Sequence, residues 1–317
     1  MAQRMIGVAV AARDAAGVLG SIERLEGLGI PAAWLTTGGA GLDGLTLFAA
    51  AAAKTGRIKL GTAITPTFPR HPIVVVQQVQ ILAHLAPGRF RLGLGPSHQA
   101  TIEQSFGIPF KAPHTHLREY IHIVRELLWR GAVDFDGRHL KAHARIAQPI
   151  ADVPIMASAL RQKGFELCGE IADGAISWVC PGVYLRDVAL PALRKGAAQA
   201  GRPIPPLIAH APVCVHDNPD EVRAAAREQV GFYPRAPYYA KMFADAGFPE
   251  ASQGIWSDAM IDAVVLWGDE ARVAGRLREL FSWGASEIVV SPVTAGGDRA
   301  ASLSRTLKLL AEVANSG

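Results

Sequence analysis

Arg57-Ile58-Lys59-Leu60-Gly61-Thr62-Ala63-Ile64-Thr65-Pro66-Thr67-Phe68-Pro69-Arg70-His71-Pro72 opens the stretch that decides the fold, and Pro87-Gly88-Arg89-Phe90-Arg91-Leu92-Gly93-Leu94-Gly95 closes it. The run 57–64 is short and apolar and reads as a strand. Residues 72–85 follow as an amphipathic helix, with proline at its start, where no backbone donor is needed. Pro87-Gly88 then makes a turn into a second strand, 89–95. Two strands joined through a helix run parallel, so this unit announces an α/β architecture.

The same alternation extends in both directions. Strands are expected at 4–10, 32–36, 153–158, 174–179, 206–215 and 287–291, which with the first two makes eight. Helices are expected at 14–28, from Asp43, and at 114–129, 162–171, 184–199, 269–283 and 301–313, with one capped by Asn218 or Asp220 running through Val230. Gly29-Ile30-Pro31 closes the first helix. Residues 107–113 read as loop, and 133–150 as an excursion with a hairpin around Asp136-Gly137. Residues 231–267 read as an irregular, aromatic-rich insertion between strands seven and eight, a lid or a partner surface. No linker divides the chain, so 1–317 is read as a single domain, a (β/α)8 TIM barrel; a doubly wound sheet is the rival.

Bulk properties narrow the function. Half of the 317 residues are hydrophobic and 19% are charged, which suits a large core. A net charge of +4 without a basic run gives no case for nucleic acid. No long uncharged apolar stretch points to a membrane, and the opening residues 1–8 carry no signal-peptide pattern; a cytoplasmic protein is expected. Cys168, Cys180 and Cys214 are far apart and read as packed, reduced thiols.

Three stretches carry a resemblance. Residues 60–72 resemble the strand-three segment of luciferase-like proteins, and 88–95 resemble their strand-four motif. Val153-Pro154-Ile155 to Ala159, with Gly169-Glu170-Ile171-Ala172-Asp173-Gly174-Ala175, is similar to their strand-five-to-six region. Order and spacing agree along nearly the whole chain, and the Thr65-Pro66-Thr67-Phe68 run is most similar to the branch that uses the deazaflavin coenzyme F420. The resemblance implies a luciferase-like barrel with the cofactor at the strand C-termini, a strand-three bulge with a non-prolyl cis bond among Thr62, Ala63 and Ile64, and a homodimer through helices near strands two and three. The chain is one residue shorter across that bulge, which leaves open the choice of bond.

A barrel places its site on the loops after the strands. Gly93 and Gly95 are read as letting a planar ring approach the backbone; the alternative is plain strand packing. A dinucleotide fingerprint lacks its third glycine. Ala159-Leu160-Arg161-Gln162 begins a helix whose free N–H groups suit a cofactor phosphate, as this turn does in the relatives. Val179 and Cys180 take the second phosphate-side position by resemblance, and Ser97 adjoins the ring. His98 is the candidate for proton transfer, close to where relatives carry an acidic residue. Thr36, Thr37 and Trp178 are read as lining the substrate side, the threonines as hydroxyl donors. His114-Thr115-His116 suggests a metal pair, but it starts a helix and no ligand from strand one joins it, so no metal is expected.

Hydride transfer between coenzyme F420 and a small organic substrate is therefore the leading expectation. The alternatives are an FMN monooxygenase using oxygen, a barrel that binds the ring without turnover, and a metal-dependent hydrolase.

Overall fold

In the computed structural model, which describes residues 4–315, eight strands pair in parallel and close into a ring. They are β1 Met5–Ala9, β2 Ala32–Leu35, β3 Lys59–Thr62, β4 Phe90–Gly95, β5 Ile155–Ser158, β6 Ala175–Trp178, β7 Leu207–Val215 and β8 Ala285–Pro292. Closure comes from β8 returning to β1, with Met5 opposite Glu287 and Val8 opposite Val290. The ring leaves no edge among these strands and settles the choice against the doubly wound sheet. Residues 1–3, where the start of the chain was read for a leader, lie outside the described residues. Among the described residues, no helix is long and apolar enough to cross a membrane.

Helix starts follow the capping residues. Asp14 accepts from the Gly17 N–H, Asp43 from Thr46, and Asp269 from Arg272, each at 2.7–2.8 Å. His71, the residue before Pro72, caps the next helix through its own ring nitrogen. The hairpin expected at Asp136-Gly137 is present, pairing Ala132–Asp136 with Lys141–Arg145. Glu119 holds its turn by accepting from the backbone N–H groups of Arg138, His139 and Leu140.

Two expectations need correction. A helix at Gln99–Phe106 was not expected; it buries only Ile102 and has no side-chain cap, so neither periodicity nor a start signal marks it. The 231–267 insertion is largely helical rather than irregular, with helices at Pro237–Asp245 and Asp258–Val264 and short 3-10 turns. Its aromatic residues divide. Phe243 and Trp256 pack on each other inside it at 5.3 Å, while Tyr233 and Tyr239 face the barrel.

The barrel interior is a separate cluster from the strand–helix core, built on Trp34, Met156, Ile176, Ile208 and Val289. Trp34 fits because its neighbours are glycines: a Cβ at Gly7 or Gly61 would stand 2.5–2.7 Å from the indole. Glu287 accepts from the Trp34 indole N–H at 2.8 Å and takes both Arg91 terminal nitrogens, while the Arg91 guanidinium lies 4.3 Å from the indole ring. Both charges are buried, so removing one strands the other. Glu287→Ala should lower the unfolding free energy by about 3–5 kcal/mol in a urea titration; a loss below about 1 kcal/mol, the range of an exposed pair, would show that Arg91 finds another partner.

Candidate active site

The strand-three bulge begins where β3 ends. The cis bond is Ala63–Ile64, which settles the choice among the three positions. Strands two and four grip it from both sides. From β2, the Leu35 carbonyl accepts the Ala63 N–H at 2.7 Å and the Thr36 hydroxyl donates to the Ala63 carbonyl at 2.6 Å. The Thr37 N–H donates to the Ile64 carbonyl at 3.2 Å, and the Thr37 hydroxyl accepts the Gly44 N–H. From β4, Gly93 exchanges two 2.8 Å bonds with the Thr62 hydroxyl, one in each direction. The bulge is thus a fixed wall on the C-terminal side of the barrel.

This grip gives several of the expected site residues a structural task. Thr36 and Thr37 hold the bulge, so Thr36's one hydroxyl proton is committed to Ala63 rather than offered to a substrate. Thr62 is fully buried and faces β4. Gly93 and Gly95 are required by the protein's own packing: a Cβ would stand 1.9 Å from the Thr62 carbonyl oxygen at Gly93, and 2.3 Å from the Ser158 hydroxyl at Gly95. The packing reading of these glycines is sufficient without a ring against them.

His98 follows β4 behind Ser97, whose φ of +65° turns the chain sharply at the mouth. Three insertion rings surround the imidazole: Phe232 at 5.5 Å, Tyr239 at 5.8 Å and Tyr233 at 6.2 Å. Burial pulls its pKa below the ordinary histidine value, so the ring is neutral at pH 7. Among the described residues it has no hydrogen-bond partner. Trp178 reaches the same group, 5.5 Å from Tyr233.

His210 was missed by the sequence reading. It lies on β7, 4.2 Å from Trp178, and its Nε2 meets the Ser291 hydroxyl of β8 at 2.8 Å. Burial lowers its pKa to about 3. The only signal in the sequence is a histidine inside the apolar run 206–215, and periodicity cannot say which side of a wholly buried strand faces the barrel axis.

The helix Gln162–Ile171 starts at Arg161 without a side-chain cap, directly after the buried Ala159 and the half-buried Leu160. The Tyr184 hydroxyl faces the Gln162 backbone N–H. Arg161 pairs with Asp245 of the insertion at 3.4 Å, while its Nε is buried without a partner. Val179 is fully buried with φ +54°, a conformation that β-branched residues seldom adopt and that concentrates at working sites. Cys180 is buried beside it, and burial pushes its thiol up to about 12. The three cysteines are free and buried. His116 is stacked on Phe68 at 4.0 Å, inside the protein rather than open as half of a metal pair.

Residues 4–287 match the profile of luciferase-like monooxygenases. The chain belongs to this family. The 5,10-methylenetetrahydromethanopterin reductase of Methanolobus tindarius is 29% identical over 299 residues, 88% of this chain and 91% of that one. The F420-dependent glucose-6-phosphate dehydrogenase of Beutenbergia cavernae is 36% identical over 199 residues, 60% of this chain and 59% of its own length. In shape the chain is similar to an F420-dependent secondary alcohol dehydrogenase solved with an F420-acetone adduct, with TM-score 0.83, 18% identity and 98% of both chains covered.

The buried histidine makes stability depend on acid. In the unfolded chain His210 titrates near its ordinary value, but folded only near 3, so the unfolded state binds the extra proton between those limits. Stability is therefore full above about pH 6.5 and falls as the pH drops below it, by up to roughly 1.4 kcal/mol per unit for this residue. Urea midpoints of the parent and of His210→Gln between pH 7 and 5 check this: the variant should lose part of the slope, and parallel curves would refute the assignment.

Proposed function

We propose that the chain is a coenzyme F420-dependent oxidoreductase that moves a hydride to or from a small organic substrate held under the 231–267 insertion. The observation that carries the reading is the fixed bulge at Ala63–Ile64 facing a mouth where His98 has no hydrogen-bond partner among the described residues. The glucose-6-phosphate dehydrogenase and the secondary alcohol dehydrogenase named above are both described as F420-dependent, which supports the choice of cofactor. The residues present also fit an anionic, ring-bearing group. The uncapped helix start at Arg161–Gln162 offers backbone N–H groups, and the buried, unpartnered Arg161 Nε adds a donor.

When bound, the deazaflavin supplies a ring carbon that accepts or gives a hydride. The chain supplies the rest. Leu35, Thr36 and Thr37 keep the Ala63–Ile64 wall rigid, so a flat ring against it is positioned without reorganisation. Phe232, Tyr233 and Tyr239 exclude water above it. His98, neutral at pH 7, takes the proton of a substrate hydroxyl at a ring nitrogen, and its protonated form returns one to a carbonyl oxygen. An FMN monooxygenase is the second reading, favoured by the family profile itself. We also assign the exposed Val74, Ile81 and Leu85 face of the helix Pro72–Leu85 to a homodimer contact.

Titrating the purified chain with coenzyme F420, FMN and NADPH tests the reading, with F420 expected to bind tightest; tighter FMN binding or no binding would overturn it. His98→Ala should leave F420 affinity nearly unchanged and reduce turnover about 100-fold or more. Unchanged turnover would remove His98 from the chemistry. Ala159→Trp should weaken F420 binding by obstructing the helix start, and parental affinity would displace the phosphate from that turn.

A further inference from the structure

Phe232, Tyr233 and Tyr239 of the insertion, Trp178 of β6 and His98 form one continuous aromatic group over the barrel mouth. Successive ring centroids lie 4.8 Å apart for Tyr233–Tyr239, 5.5 Å for Trp178–Tyr233, 5.8 Å for His98–Tyr239 and 5.5 Å for His98–Phe232. His210 continues it beneath Trp178 at 4.2 Å.

Among the described residues, no charged side chain pairs with or stacks on these rings. The cations that stack on aromatic rings among the described residues sit elsewhere, over Trp34, Trp129, Trp267, Trp283 and Phe281. Arg161 and Asp245, beside Tyr184, neutralise each other. Burial alone displaces the protonation of His98 and of His210, with no neighbouring carboxylate or cation contributing. A phosphate or carboxylate entering this lining would shed its hydration and meet no counter-charge, whereas a flat neutral molecule sheds little and gains ring contacts. Neutral polar contacts are available for a carbonyl or hydroxyl oxygen: both nitrogens of His98, and the His210 Nδ1, which has no partner among the described residues.

We infer that the substrate is an uncharged molecule with a flat apolar body and a carbonyl or hydroxyl group, and that phosphorylated sugars and carboxylates are rejected. The inference rests on the proposed function only in placing the substrate at this mouth.

Calorimetric titration with acetophenone, benzoate and glucose 6-phosphate tests it, on the chain alone and on the chain loaded with F420. Acetophenone and benzoate share a ring and nearly a size, and differ in charge. Acetophenone should bind at least tenfold tighter than benzoate, with glucose 6-phosphate weaker still. Tyr239→Ala should reduce acetophenone affinity several-fold, and Tyr239→Phe, which keeps the ring, should retain it. Equal or tighter binding of benzoate or glucose 6-phosphate, or no acetophenone binding in either form, overturns the inference; this comparison on the parent protein stands even if the alanine variant fails to fold. Selective acetophenone binding by a chain that takes up no F420 would retire the F420 reading and keep this one. F420 binding with a preference for benzoate would do the reverse.

Discussion

The grip of strands two and four on the residues after strand three organises the rest of the site. Leu35 and Thr36 bind both polar groups of Ala63, Thr37 binds the Ile64 carbonyl, and Gly93 locks onto Thr62. Both polar groups of Ala63 and the Ile64 carbonyl are thus satisfied away from the regular ladder, which a buried irregular segment requires. Gly93 and Gly95 are part of the same constraint, because β4 approaches the bulge to within the volume of a methyl group. Their missing side chains leave room for the wall.

Above the wall, burial more than charge sets the protonation of the side chains. His98 and His210 are both held neutral by their surroundings, and the tyrosines beside them keep their protons: burial raises Tyr233 and carries Tyr239 well above its ordinary value. A mouth of this kind favours proton transfer through neutral groups over recognition by ion pairs. The most deeply buried ion pair among the described residues, Arg91 with Glu287, lies among the interior side chains around Trp34.

Most elements were legible because their signals are local. Asp14, Asp43 and Asp269 start helices through bonds spanning three residues, and Pro72 and Gly137 act where they stand. The helix at Gln99–Phe106 was not legible, since one buried residue makes no periodic pattern. The aromatic residues of 231–267 were visible as a group, but not their division. Phe243 and Trp256 differ from Tyr233 and Tyr239 only in what they pack against.

By itself the sequence determined the alternation of strands and helices, the family resemblance and the place of His98 after strand four, because each depends on neighbours along the chain. Tertiary structure alone decided that Thr36 serves Ala63 across 27 positions, that Ser291 meets His210 across 81, and that a buried tryptophan has room between two glycines. Those facts arise where eight strands curve together, and a side chain's partner there is set by barrel closure and strand register, which local spacing does not encode.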